Sequence, residues 1–145
     1  MEKRYPFKFL DAYRKEDFAF FFGREEEIEA LYRMVFQTKI LVVYGTSGTG
    51  KTSLIQCGLA SKFKSYDWLA LYVRRGSNLI ASLDKALCDA SDGVFEFAER
   101  LEPDARDLPQ KIEAVYRASF KPVYLIFDQF EELYVLGDAR EQQQF

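Results

Sequence analysis

Residues 45–52 read Gly-Thr-Ser-Gly-Thr-Gly-Lys-Thr, the pattern G-x-x-x-x-G-K-[ST], and stand directly behind the apolar run Ile40-Leu41-Val42-Val43-Tyr44. That order constrains the chain more than any other feature. A phosphate-cradling loop works where the carboxyl end of a buried strand passes into the amino end of a helix, because successive backbone N–H groups and the helix dipole then face one anion. Residues 53–59 follow with the apolar spacing of a helix packed on a sheet. Two glycines, a lysine and a hydroxyl residue at these positions arise by chance in roughly one chain in two hundred of this length, and the flanking strand and helix make the accident rarer. Gly45, Thr46, Ser47, Gly48, Thr49, Gly50, Lys51, Thr52 and Ser53 are therefore the candidate nucleotide contacts. Lys51 supplies a point charge for the outer phosphates, and Thr52 an oxygen for Mg²⁺.

The rest of the chain supplies the alternation this loop needs. Residues 23–35 predict a helix with acids in its first turn and Ile28, Leu31, Tyr32 and Val35 at helical spacing. A strand is expected at 39–44, a helix over about 50–63, a second strand at 68–73, and helices near 78–90, 92–102 and 108–119, the last through Ile112, Val115 and Tyr116. The third strand, Val123-Tyr124-Leu125-Ile126-Phe127, is an unbroken apolar run of the kind covered on both faces of a parallel sheet. The order, with the phosphate loop behind its first strand, predicts an α/β fold, a P-loop NTPase three-layer α/β/α sandwich with a parallel sheet and right-handed crossovers. Residues 1–38 form an N-terminal lid segment and helix, and residues 39–145 the nucleotide-binding core.

Composition excludes several alternatives. The 145 residues are 48% hydrophobic, enough for one core. A net charge of −3 offers no basic stripe for nucleic acid. There is no histidine, which removes Ser-His catalysis and the commonest zinc ligand. Cys57 and Cys88 stand far apart and read as small buried apolar residues, which suits a reducing cytoplasm. No signal peptide is visible and no apolar run approaches the length of a membrane span. Phe18, Phe20, Phe21 and Phe22 are expected to pack on the core or form a lid rather than stack bases.

The third strand ends in Asp128-Gln129-Phe130-Glu131-Glu132-Leu133. Ligands of open α/β sheets collect at the carboxyl ends of strands. Asp128 is the candidate metal-associated acid, acting with Thr52 on Mg²⁺ that keeps most of its waters. Glu131 and Glu132 are the candidates, with Lys51, for the catalytic set that positions or deprotonates the attacking water. Which glutamate does so is open.

Taken together, FFGREEEI at 21–28, the loop run VVYGTSGTGKTSLIQCGL, YVRRGS at 72–77 and DQFEEL at 128–133 resemble the STAND class of signal-transduction P-loop NTPases, in particular its bacterial "novel STAND" branch. Pro6-Phe7 and Glu16-Asp17 extend the likeness towards the N-terminus. The resemblance implies ATP or ADP with Mg²⁺, and makes Arg24 a candidate nucleotide contact. It further implies a switch that self-associates when ATP-bound, in bacterial defence or stress signalling, with fused sensor and effector modules. It implies also that this chain is the N-terminal part of an ATPase module, a sandwich incomplete at its C-terminus by two strands and a lid. Strand 39–44 should then lack its normal neighbour, and the chain should self-associate through open edges at 40–44 and 123–127. A non-hydrolysing interaction platform is the alternative. A transporter or motor ATPase lacks its L-S-G-G-Q-type signature here, and no guanine-reading N-K-x-D is present.

Overall fold

Parallel pairing of two short strands organises the second half of the chain. In the computed structural model, which describes residues 7–8, 11–91 and 108–145, β1 (Leu69–Arg74) lies beside β2 (Val123–Asp128) in a two-stranded parallel sheet. The register runs from Leu69 opposite Val123 to Arg74 opposite Asp128. The described elements make a mixed α/β protein, and the chain divides into two compact units, Met1–Lys64 and Ser65–Phe145.

In the first unit, a 3₁₀ helix (Lys15–Phe20) precedes α1 (Glu25–Val35). Helix α2 (Lys51–Ser53) continues into π-helical turns over Leu54–Leu59. Helix α1 lies against these π-helical turns, and the contact requires a glycine. A Cβ on Gly58 would sit 2.6 Å from Ile28 Cγ1 and 3.3 Å from Phe21 Cε1. Tyr32, Phe36 and Phe63 pack as a ring cluster beside it, with Tyr32 edge-on to both phenylalanines at 5.1 and 5.2 Å.

In the second unit, α3 (Leu79–Ala90) opens at Asn78, whose Oδ1 accepts the Ala81 N–H at 2.9 Å. This satisfies one of the donors every helix start leaves unpaired. The stripe Leu79, Ile80, Leu83 and Leu87 is buried, as expected for an apolar face at helical period. Helix α4 (Leu108–Ser119) buries Val115 completely. Helix α3 packs on β1, α4 on β2 and the two helices on each other, so one apolar cluster covers Leu71 and Val73 of β1. The Lys111 ammonium donates to the Asp84 carboxylate between these helices. Two short helices, α5 (Glu132–Val135) and α6 (Ala139–Gln144), close the unit; Asp138 Oδ1 accepts the Glu141 N–H at 2.8 Å to start α6.

Both later strands and the helices near 78–90 and 108–119 fall where their apolar periods put them, and the helix expected over about 50–63 runs from 51 to 61. Four expectations are corrected. Residues 39–44 pair with no strand among the described residues, and Ile40, Val42 and Tyr44 are 82%, 74% and 90% exposed. An apolar run becomes a strand only when a neighbour takes its backbone hydrogen bonds. Strand β2 is half-buried along its length rather than covered on both faces. Of the four clustered phenylalanines only Phe21 turns inward, against Tyr13 at 5.7 Å and the Gly58 crossing, while Phe18, Phe20 and Phe22 are exposed. Tyr116 is exposed too, leaving Val115 as the buried anchor of α4. The helix expected over 92–102 lies outside the described residues.

The packing of the first unit can be tested at two adjacent residues. Gly58→Ala should lower stability by about 1–3 kcal/mol, the usual cost of overpacking, read as a lower urea midpoint; an unchanged midpoint would mean that the crossing has slack. Cys57 is fully buried, and burial, with Asp17 adding to it, pushes its thiol up to about 11. A folded value above the unfolded one stabilises fully below about pH 9 and is lost as pH rises towards 11. The stability gap between the natural chain and Cys57→Ala should therefore shrink across that window, and a constant gap would contradict the assignment.

Candidate functional site

The glycine-rich loop holds its shape by bonding to itself. Gly45, Gly48 and Gly50 adopt φ values of 155°, 80° and 79°, a backbone that side chains would strain. Lys51 Nζ reaches back over the loop and donates to Gly45 O at 2.9 Å and Thr46 O at 3.0 Å. Thr49 Oγ1 also donates to Thr46 O, at 2.9 Å. Among the described residues no carboxylate pairs with the Lys51 ammonium. The loop therefore carries a positive charge held only by neutral carbonyls, at the start of a helix that no side chain caps. That donor set suits a polyanion.

Arg24 belongs to this loop. Gly23 turns the chain with φ 79°, its N–H donates to Glu25 Oε1 at 3.1 Å, and α1 begins with Arg24 aimed back at the loop. Arg24 Nη1 donates to Thr49 O at 3.0 Å. Glu27 Oε1 approaches Arg24 Nε at 2.8 Å without hydrogen-bonding it, so that buried N–H is unsatisfied. The Glu25 carboxyl is held below its ordinary range by its own backbone N–H and then by that of Gly23. Ser53 is buried, and its Oγ accepts the Tyr13 N–H at 3.1 Å, so that hydroxyl ties the N-terminal segment to α2. Thr46, Ser47 and Gly48 lie exposed on the loop, and Thr52 is half-buried on α2.

The acidic residues belong to the second unit. Asp128 ends β2, half-buried, in register with Arg74 at the end of β1. Gln129 follows with φ 56°, a left-handed conformation that costs a non-glycine residue of order 1–3 kcal/mol and concentrates at functional sites. The chain then turns tightly, with Glu132 N–H on Gln129 O at 2.9 Å. That turn returns Glu132 to β1, where Arg74 Nη2 donates to its Oε1 at 3.0 Å. Glu132, and more weakly Asp128, push the Arg74 guanidinium above its ordinary value. Glu131 is exposed and joins no ion pair among the described residues. The two glutamates thus have different surroundings.

Arg75, the next residue, has a different role. It is bidentate to Glu141, with Nη2 to Oε2 at 2.7 Å and Nε to Oε1 at 3.1 Å, and its Nη2 also meets Leu136 O at 3.2 Å. Glu141 Oε1 further accepts the Leu79 N–H at 2.7 Å. Sequence reasoning misses these arginine partnerships, because residues 74–78 read only as a turn; the one signal is a pair of adjacent arginines at a strand end, with acids later in the chain. Among the described residues no group of three or more histidine, cysteine or carboxylate side chains could hold a metal, and no helix is long and apolar enough to cross a membrane.

An α/β protein with a lysine-bearing glycine loop and an acid-terminated parallel strand falls within the nucleoside-triphosphatase class. Residues 6–145 match the model of the family Novel STAND NTPase 1, and the chain belongs to that family, whose members are NTPase-type signalling modules. Neither the curated proteins nor the solved structures yield a match.

The two acid–arginine pairs should respond differently to removal. Glu141→Ala strands a buried guanidinium and the Leu79 N–H, and should destabilise the chain by about 3–5 kcal/mol. Glu132→Gln, at the exposed pair, should leave the denaturation midpoint near that of the natural chain; equal losses would contradict this division of roles.

Proposed function

We propose that this chain is the nucleotide-binding part of a Mg-dependent signalling switch that binds ATP and hydrolyses it slowly, built on a P-loop NTPase sandwich. The observation that carries this is the Lys51 ammonium, held by two loop carbonyls and by no acid among the described residues. When phosphates enter, Lys51 exchanges those neutral carbonyls for phosphate oxygens, a charge-assisted and stronger contact. The backbone of Gly45–Thr52 cradles the phosphates, Ser53 anchors α2 beneath them, and Arg24 braces the loop at Thr49. Thr52 and Asp128 would hold Mg²⁺; such a site needs only one or two protein oxygens beside phosphates and water. Bound there, the ion would neutralise charge on the outer phosphates. Glu131 or Glu132 orients the attacking water and takes its proton as the terminal phosphoryl–oxygen bond breaks and ADP leaves.

Membership of the signalling family supports ADP and ATP as the resting and active ligands, and sensor and effector modules as partners. The exposed Ile40, Val42 and Tyr44 support self-association through that segment. A cytoplasmic setting, and a role in bacterial defence or stress, rest on the family likeness alone. A second reading, a platform that holds nucleotide without turning it over, is favoured by one observation: Glu132 is already engaged by Arg74.

Titration with Mg-ATP, followed by phosphate release, separates these readings. Lys51→Ala should abolish binding, and Glu131→Gln/Glu132→Gln should retain binding and lose turnover. Lysine-dependent binding with no turnover in the natural chain would establish the platform, and Lys51-independent behaviour would sink both.

A further inference from the structure

Arg74 and Arg75 are neighbours, yet their ion pairs differ in kind. The Arg75 and Glu141 side chains are 11% and 5% exposed and share further hydrogen bonds with the backbone. The Arg74 and Glu132 side chains are 61% and 23% exposed and meet through a single contact at 3.0 Å. Arg75 clamps α6 to the start of α3. Among the described residues Arg74 hydrogen-bonds to one carboxylate, on the acidic turn that follows Asp128, and solvent screens the bond.

We propose that Arg74 is a positioning residue that holds Glu132 in a releasable latch, keeping that carboxylate from the attacking water until the latch opens; the inference rests on the functional reading above. Three observations converge on this role. The parallel register ends β1 and β2 on Arg74 and Asp128, so the guanidinium stands beside the acid proposed for the metal. The left-handed Gln129 folds the next residues back, so that Glu132 rather than Glu131 reaches Arg74. Among the described residues the remaining guanidinium donors of Arg74 have no hydrogen-bond partner, so another acid can compete for the group. An exposed pair of this sort holds its closed form over the open one by a few-fold only, which suits a latch and not a clamp.

The test compares kcat and Kd for Mg-ATP in the natural chain and in R74Q, R74K, E132Q and R74Q/E132Q. R74Q should raise kcat about two- to five-fold with Kd unchanged. R74K should return kcat to the natural level, because one point charge suffices for a one-contact bond. R74Q should have no effect in the E132Q background. A kcat unchanged or lowered in R74Q, or raised equally without Glu132, overturns the latch. Should the natural chain bind nucleotide without turnover, the latch is overturned while the platform stands, because a few-fold bias cannot silence the site. Absence of Lys51-dependent binding in every chain overturns the functional reading and the latch with it.

Discussion

A lysine ammonium with no anionic partner among the described residues is the constraint around which the first unit is arranged. Lys51 bonds to Gly45 O and Thr46 O, which closes the loop on itself and leaves its charge unpaired with any acid among the described residues. A salt bridge there would be more favourable in electrostatic terms, and a chain selected only for stability has acids enough to provide one. The surrounding devices serve the same end. Glycines at 45, 48 and 50 accept the backbone that the closure imposes. Arg24 braces Thr49 from the start of α1, and Gly58 lets α1 approach the helix behind the loop closely enough to hold that brace in place.

The second unit uses burial to sort its charges. Adjacent arginines at the end of β1 each meet a glutamate, and solvent decides how strongly each pair holds. At Arg75, dehydration makes breaking the pair costly and the start of α3 depends on it. At Arg74, water weakens the pair until it holds position more than it stabilises. The same logic separates Glu131, in solvent, from Glu132, in an ion pair.

Much of this architecture is legible in the local pattern of the chain. The loop, the acid-terminated strand and the helices carrying Leu79, Leu83 and Val115 follow from spacing alone, because their periods are set by what faces the core. What escapes depends on contacts distant in the chain. Residues 39–44 have the composition of a strand, but pairing is a property of two segments, and their apolar side chains stand exposed. Gly58 reads as a weak point inside a helix until Ile28 is placed against it. The left-handed Gln129 has no sequence marker, and it is this residue that decides which glutamate meets Arg74. Nor does the pair RR at 74–75 reveal that its members take different partners, 58 and 66 residues further on.

The central claim is that the charge on Lys51 and the backbone of the glycine loop receive the phosphates. Amide NMR of the chain titrated with Mg-ATP tests it most directly. The account predicts that the amide resonances of residues 45–52 move together and saturably, and that the Lys51 side-chain signal shifts with them as its bonds to Gly45 and Thr46 are exchanged. A saturable response elsewhere, with the loop amides and Lys51 unmoved, would contradict it.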